Sequence, residues 1–372
     1  MATHEPAPEI TSLAEFDRAI DSGRPLSGCR LRAVDLTSRT FTLLSADTTG
    51  TVFLGCTLEP EAEASVRSGG ALVLPPQPEL PFDPYRSTLY TPDELYRSHG
   101  EDRTADARTR AWFLRTAAEG DILAALLRTV HDDAVAAALD GQIDGARVAA
   151  VAGSPDIPRG GPGSRYAAAA ELGRELARAG LVVATSGGPG AAEAANLGAH
   201  LAPRPDGALR EALALLTPPA PDDSRALPVD HWAHAAFSVR DRFPGGGPSL
   251  GVPSWSDGED RPTNAFASRV AKFFRSEPAR AVLPDRALAG TVFLPGAADT
   301  VEELFRAAAA NDRRARTAPG PVPLILVGVA HWTTVVPAWP LLESLSAGPA
   351  LAERVYLVDS VRDAGALLAE PA

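Results

Sequence analysis

Residues 291–310 read TVFLPGAADTVEELFRAAAA, and this stretch decides the fold predicted for the C-terminal part of the chain. A short apolar run ends in a Pro-Gly turn, and a helix is predicted to begin with Thr300 as its N-cap and with Glu302 and Glu303 in its first turn. A strand followed by a glycine turn and a helix N-terminus binds phosphate, because unpaired backbone N–H groups and the positive end of the helix dipole point at one spot. A carboxylate beside that spot can hold a sugar hydroxyl or direct a water molecule, so the stretch predicts a nucleotide site.

The composition is that of a globular protein with an acidic balance of charge. The chain has 372 residues, of which 45% are hydrophobic and 22% charged, and this is enough to form more than one structural unit. The net charge of −12 argues against nonspecific binding to nucleic acid or to an anionic membrane, because either partner requires a basic face. The first residues do not resemble a signal peptide and no apolar run has the length of a membrane span, so we predict a cytoplasmic protein with Cys29 and Cys56 reduced.

Residues 1–75 are predicted to form a separate β-rich unit. Apolar residues recur at every fifth position, which is the spacing of a pentapeptide-type coil with inward-pointing side chains stacked on successive rungs. The alternative is a few short strands whose apolar residues have the five-residue spacing by chance. The series consists of Leu26, Leu31, Leu36 and Phe41.

Residues 76–145 are predicted to be a linker arm followed by helices. Prolines concentrated in residues 74–92 exclude a regular helix or a central strand there, which indicates an extended segment. A helical pattern follows over residues 105–139. The stripe predicted to be buried on it consists of Trp112, Phe113, Ile122, Leu123 and Leu126.

Strand-like and helix-like segments alternate in residues 146–372. The alternation predicts an α/β fold, a Rossmann-like, doubly wound and mostly parallel sheet of about six or seven strands that binds its ligand at the C-terminal ends of the strands. Residues 264–275 are predicted as a helix and residues 203–230 as a surface insertion. The predicted strands are residues 147–152, 181–185, 249–253, 291–294, 322–329 and 355–358.

Two further turns follow predicted strands. Gly153 and Ser154 follow the first strand, and residues 186–196, SGGPGAAEAAN, follow the second. Glycines let the backbone approach a ligand, and Glu193 and Asn196 are three residues apart on one helix face. The alternative is a pair of tight turns with ordinary polar neighbours. The chain has no G-x-G-x-x-G pattern and no Walker lysine, which argues against NAD and nucleoside triphosphates.

Together these turns resemble the LOG family, also called the lysine-decarboxylase-like family, whose members cleave the N-glycosidic bond of nucleoside 5′-monophosphates. Residues 295–303, PGAADTVEE, resemble the family signature PGGxGTxxE. Residues 186–196 resemble GGGPGxMEAAN, and residues 148–158, VAAVAGSPDIP, resemble VxVFGSxR. The similarity covers residues 148–360 with the three motifs in the family's order.

The resemblance implies a set of roles. Glu303 corresponds to the catalytic glutamate, and the family's catalytic arginine corresponds to Arg280, with Arg275 as the alternative. Family members are homodimers that need no metal or organic cofactor, so we expect the same here, with a small-molecule nucleoside monophosphate as the partner. The residues predicted to bind substrate are Gly153, Ser154, Ser186, Gly187, Gly188, Gly190, Glu193, Asn196, Pro295, Gly296, Ala297, Ala298, Asp299, Thr300 and Glu302.

Two departures from the signature bear on catalysis. Ala297 and Asp299 replace its second and third glycines, and Ser186 replaces a glycine of the second turn. A carboxylate at ~5 Å repels a phosphate charge by roughly 3 kcal/mol at an effective dielectric constant of ~20, unless Asp299 is paired or turns outward. The chain is therefore predicted to be either a phosphoribohydrolase with altered preference or a nucleotide-binding protein without catalysis.

Two other groups of residues have functional and ordinary interpretations. His231 and His234, with Asp230, have a spacing compatible with a metal site, but a polar patch on a surface insertion is the favoured interpretation. Trp255 and Phe266 could stack a base or belong to the core.

Overall fold

The structure is a computed structural model that describes residues 8–96, 104–217, 229–258, 261–316, 320–345 and 352–369. The chain forms two compact units, each made of two separate stretches of sequence. The first unit contains Met1–Thr88 and Leu114–Ala138, and the second contains Leu89–Phe113 and Leu139–Ala372.

The first unit contains a four-stranded parallel sheet whose strands follow one another in chain order. Its strands are β1 (Glu9–Ile10), β2 (Arg30–Arg32), β3 (Val52–Leu54) and β4 (Leu72–Leu74). The helices between them are α1 (Leu13–Asp21), α2 (Thr40–Ser45) and α3 (Pro60–Ser68). The buried residues at the centre of neighbouring strands are in register: Ile10, Leu31, Phe53 and Val73.

The five-residue coil predicted for this region is wrong, and the alternative of short strands is correct. Leu26, Leu31 and Leu36 are buried, but Phe41 lies on α2 and its side chain is 89% exposed. The chain leaves the sheet after β2 to form α2, so the five-residue spacing of buried positions ends before Phe41.

The helical segment that follows has a different buried face from the one predicted. Its helices are α4 (Pro92–Tyr96), α5 (Ala105–Glu119) and α6 (Ile122–Ile143). Trp112 is buried, but Ile122 is 85% exposed, and Leu123 and Leu126 are exposed as well. The buried face of α6 includes the polar residue His131. Because of this polar residue, the spacing of the apolar residues alone does not reveal which face of the helix is buried. The apolar residues of that face are Ala124, Leu127, Ala134, Val135 and Leu139.

The second unit confirms the predicted α/β class with a mostly parallel sheet. Seven strands lie in the order β11-β10-β9-β5-β6-β7-β8, and every ladder between them is parallel. The strands are β5 (Val148–Ala152), β6 (Val182–Thr185), β7 (Ser249–Gly251), β8 (Arg269–Val270), β9 (Gly290–Phe293), β10 (Leu324–Val327) and β11 (Val355–Val358). The helices are α7 (Arg165–Arg178), α8 (Ala191–His200), α9 (Gly207–Leu216), α10 (Val229–Arg242), α11 (Ser276–Arg286), α12 (Ala298–Arg314), α13 (Ala338–Leu345) and α14 (Val361–Ala369).

Both faces of this sheet are buried, which explains why its strands read as continuous apolar runs. On one face, Val151 and Val183 belong to a core that includes Leu197 of α8. On the other face, Phe293 packs in a second core with Leu304 of α12. The C-terminal ends of the strands, which precede the glycine turns, are therefore held in place by the cores on both faces of the sheet.

Two predicted segments differ from the structure. Residues 264–275 form β8 and irregular backbone, not a helix. Asn264 Oδ1 accepts hydrogen bonds from the N–H groups of Phe266 and Ala267, as a helix cap does, but the following residues 270–274 are all buried and have no solvent-facing side. Part of the predicted surface insertion is helix α9, which buries Leu213 on the core; residues 218–228 lie outside the described residues.

Glycine, which has no side chain, allows α7 and α8 to pack closely. This close packing predicts how a substitution changes the stability of the protein. A Cβ at Gly198 would lie 2.7 Å from the backbone N of Arg174 and closer still to the carbonyl oxygen of Ala170. We expect Gly198→Ala to lower the free energy of unfolding by about 3 kcal/mol, because α7 and α8 must move apart. A Cβ at Gly141 of α6 meets nothing within 4 Å, so Gly141→Ala should instead stabilise by about 0.5 kcal/mol. Urea unfolding of both variants tests this, and equal stabilities would contradict the close packing.

Candidate functional site

A cavity lies at the C-terminal edge of the sheet in the second unit. Its walls come from strands β5 and β9, from the turns after β5, β6 and β7, and from helices α11 and α12. Apolar residues of α11 form one wall: Ala279, Leu283 and Pro284. The cavity lies at the C-terminal ends of the strands, where open parallel sheets bind small ligands.

The three predicted turns meet at this edge because glycines allow close contact. A Cβ at Gly153 would lie 2.8 Å from the Cβ of Ala191 and 3.0 Å from that of Leu294, so the turn after β5 touches the turns after β6 and β9. Gly190 has a φ of +67°, and a Cβ there would lie 2.5 Å from the carbonyl oxygen of Ser154. That same oxygen accepts a hydrogen bond from the N–H of Ala191.

The N-terminus of α12 contributes a buried hydroxyl to the cavity wall. The N-cap is Ala297, which has no side-chain cap, so the prediction of Thr300 as N-cap is wrong by three residues. Thr300 instead packs against Gly296, where a Cβ would lie 2.5 Å from the Thr300 Cβ. Thr300 is 1% exposed and its Oγ1 has no hydrogen-bond partner in the described part of the chain. Buried hydroxyls are normally hydrogen-bonded, so a ligand is the natural partner for this one.

Glu303 is a partly buried carboxylate in the same wall. It makes no hydrogen bond or ion pair with the residues that the structure describes. Burial, together with the negative charge of Asp299, raises the pKa of Glu303 to about 7, while the positive charge of Arg280 acts in the opposite direction. At neutral pH this group is therefore present in both its charged and its neutral form, which is the property of a general acid or base.

Glu302 and two arginines form a network beside Glu303. Arg280 Nη1 donates to both carboxylate oxygens of Glu302, at 3.0 and 3.1 Å. Arg306 Nε donates to Glu302 at 3.0 Å, and its Nη2 donates to Glu277 at 3.1 Å. Arg280, Glu302 and Arg306 line the cavity, whereas Arg275, the alternative catalytic arginine, does not.

The carboxylate that departs from the family signature is paired. Arg261 Nη1 lies 2.6 Å from Asp299 Oδ2, and both side chains line the cavity. The repulsion expected between Asp299 and a bound phosphate is therefore offset by an adjacent positive charge. Arg261 was not among the predicted site residues, because it lies in an irregular loop whose sequence has no periodicity.

Glu193 and Asn196 lie beneath the second turn and do not line the cavity. Glu193 is 1% exposed and accepts hydrogen bonds from Arg159 and from the hydroxyl of Tyr166. Asn196 is fully buried and accepts hydrogen bonds from Thr185 and from the side chain of Asn264. Both side chains are satisfied within the protein and fix the helix that follows the turn.

The structure brings about half of the predicted site residues to the cavity. Those that line it are Gly153, Ser186, Gly188, Arg280, Asp299, Thr300, Glu302 and Glu303. Those outside the lining are Ser154, Gly187, Gly190, Glu193, Asn196, Pro295, Gly296, Ala297 and Ala298. The charged lining residues that sequence reasoning missed are Asp257, Arg261 and Arg306, of which only Arg306 had a signal, its position four residues after Glu302 on one helix.

The remaining candidates do not form a second site. Trp255 and Phe266 are both at most 2% exposed and lie outside the cavity lining, so the core interpretation is correct. His234 is exposed on α10, and the side chains of Asp230 and His231 lie outside the described residues. Among the residues described, no three His, Cys, Asp or Glu side chains are grouped as a metal site would need. Cys29 and Cys56 are both buried and free.

Comparisons of the chain with protein-family models and with curated proteins give no match. The similarity to the LOG family therefore rests on the three turn motifs alone. Of the helices in the described ranges, none combines the length and the apolar character needed to cross a membrane.

Proposed function

We propose that the protein hydrolyses the N-glycosidic bond of a nucleoside 5′-monophosphate and releases a free base and ribose 5-phosphate. The observation that carries the proposal is Glu303, a carboxylate without a partner among the described residues, in a cavity at the sheet edge where the three glycine turns contact one another. The strand order also supports it: the chain runs from β5 towards β8 and then returns to the other side of β5 with β9. We interpret this as a doubly wound, Rossmann-like sheet whose ligand lies where the strand order reverses.

The proposed reaction breaks the bond between the anomeric carbon and the base nitrogen. The base departs as positive charge develops on the sugar, and the oxygen of a water molecule then bonds to the anomeric carbon. Ionised Glu303 stabilises that positive charge and orients the water. The water gives up one proton and the departing base takes up one, so the step needs neither an oxidant nor a metal.

The other residues of the cavity bind and orient. Thr300 offers its unpartnered hydroxyl to the substrate, and the backbone at Gly153 and Gly188 allows close approach of the phosphate or the ribose. Arg280, held by Glu302, supplies positive charge next to Glu303 and can assist the departing base. A homodimer is also proposed, on the family resemblance alone.

A second function, nucleotide binding without hydrolysis, is favoured by one observation. Ala297 and Asp299 replace glycines in the turn where a phosphate would approach the backbone, and Asp299 adds a negative charge there. In this alternative, the protein binds or senses a nucleotide without turnover, and residues 1–140 regulate or target it.

The experiment that separates the two functions measures both binding and turnover. The protein is incubated with AMP, CMP, GMP and UMP, and free base is quantified by chromatography while affinity is measured by calorimetry. Release of base supports the hydrolase. Saturable binding without release supports the sensor, and the absence of both would reject nucleotides as ligands of this cavity.

A further inference from the structure

The ion pair between Arg261 and Asp299 stands where a phosphate is expected. Asp299 is in the first turn of α12, and its carboxylate lies 2.6 Å from Arg261. Both side chains line the cavity together with Thr300 and Glu303. A positive side chain therefore lines the same cavity as the Thr300 hydroxyl, which has no hydrogen-bond partner among the described residues.

This ion pair is of a kind that exchanges partners readily. The side chain of Arg261 is 39% exposed and that of Asp299 is 50% exposed, and ion pairs open to water stabilise a folded protein little. A guanidinium binds a phosphate through parallel hydrogen bonds at least as well as it binds a carboxylate. The other two arginines of the cavity, Arg280 and Arg306, share Glu302 between them, and Arg306 also binds Glu277.

Resting on the proposed function, we infer that Arg261 binds the phosphate of the substrate and that Asp299 is the counter-ion which the phosphate displaces. The two residues then have opposite effects on the choice between a nucleoside monophosphate and the corresponding nucleoside. Arg261 favours the phosphorylated ligand. Asp299 disfavours it, because its charge both competes for Arg261 and repels the phosphate.

The test compares AMP with adenosine, which differ only in the phosphate. Dissociation constants are measured by calorimetry at pH 8 and low salt for the wild type, Arg261→Gln and Asp299→Asn, and kcat/KM for base release is measured in parallel. We expect the preference for AMP over adenosine to fall at least about tenfold in Arg261→Gln, since a lost hydrogen bond between charged groups has that effect. In Asp299→Asn the preference should rise severalfold, and the affinity for adenosine should change little in either variant.

Arg39→Gln is the control, because Arg39 pairs with Asp17 in the first unit at similar exposure and its loss changes the net charge equally. It should leave the preference unchanged. Circular dichroism checks that each variant is folded, and Asp299→Ser replaces Asp299→Asn if the latter is not. A preference that moves in the same direction in both variants, or that moves in neither, would overturn the inference.

The two proposals fail differently. If the preference for AMP falls in Arg261→Gln and rises in Asp299→Asn but no base is released, the hydrolase is rejected and the role of Arg261 stands. If base is released while both variants keep the wild-type preference, the hydrolase stands and the role of Arg261 is rejected. If wild-type protein does not bind AMP, both are rejected.

Discussion

Glu303→Gln is expected to lower kcat/KM for base release by about a thousandfold, because the variant cannot stabilise the developing positive charge or orient water as a carboxylate does. AMP should bind at least as tightly as it does to the wild type, since one negative charge near the phosphate is removed. The measurement is the initial rate of base release at pH 8, with AMP affinity from calorimetry. Glu211→Gln is the matched control: it lies on helix α9, pairs with Arg242 on the surface and loses the same charge.

The same substitution should stabilise the protein at high pH, and this separates a catalytic role from a folding defect. The pKa of Glu303 is about 7 in the folded protein against 4.5 for its ordinary value, so between these pH values the folded state binds more protons than the unfolded state. Stability contributed by this group is therefore lost as the pH rises from about 4.5 through 7. We expect Glu303→Gln to be more stable than the wild type by about 1–3 kcal/mol at pH 8 and nearly equal at pH 4.5, as measured by urea unfolding. A variant that is less stable at pH 8 would show that the carboxylate is not buried as described.

The pKa of Glu303 also fixes the pH dependence of the reaction. Because the ionised form is the active one, kcat/KM should fall towards tenfold per pH unit below about 7 and level off above it. Adenosine should be used beside AMP, because the phosphate of AMP also titrates near pH 6 and adenosine has no group that does. A profile flat between pH 5.5 and 8 for adenosine would mean that Glu303 does not take part in the chemistry.

Local sequence patterns predicted the second unit well because its elements are defined by local chemistry. Each of β5, β6 and β9 is a largely buried apolar run with a glycine within three residues of its end, and in a parallel sheet such ends meet at one edge. The position of Glu303 in the cavity follows from that rule and from the helix that begins after the third turn. Residues 264–275 were predicted incorrectly because Asn264 caps two N–H groups in a largely buried segment, where helical and irregular backbone have similar apolar patterns.

Contacts between side chains that lie far apart along the chain could not be predicted from the sequence. The partner of Asp299 is Arg261, in a loop, and nothing in the spacing of the two residues indicates an ion pair. The predicted phosphate repulsion depended on that unknown partner. Glu193 likewise has the pattern of a ligand-binding residue on the first turn of a helix, and only the structure reveals Arg159 and Tyr166 around it.

Glu193→Ala is expected to give the largest loss of stability in the second unit, about 3–5 kcal/mol in the free energy of unfolding. Glu193 and Arg159 are 1% and 8% exposed, so removal of the carboxylate leaves a buried guanidinium without its counter-charge. Arg159 keeps neutral partners, which include the carbonyl oxygen of Trp232, the Trp232 ring at 4.7 Å from the guanidinium carbon to the ring centroid, and the hydroxyl of Tyr166. Because Arg159 is in the loop after β5 and Glu193 is on α8, the pair joins the first two turns of the cavity, and AMP binding should weaken as well.

A double substitution shows whether this loss comes from the unpaired charge. Glu193→Leu with Arg159→Met replaces the buried pair by apolar side chains, and it should be less destabilised than Glu193→Ala alone, because no buried charge is left unpaired. Tyr166→Phe removes only the neutral hydroxyl that donates to Glu193, so a loss of about 1 kcal/mol is expected. Glu211→Ala breaks an ion pair exposed to solvent and should change stability by less than about 0.5 kcal/mol. If Glu193→Ala proves no more destabilising than Glu211→Ala, the buried pair does not hold the two turns together, and Glu193 is free to contact substrate as its sequence pattern first indicated.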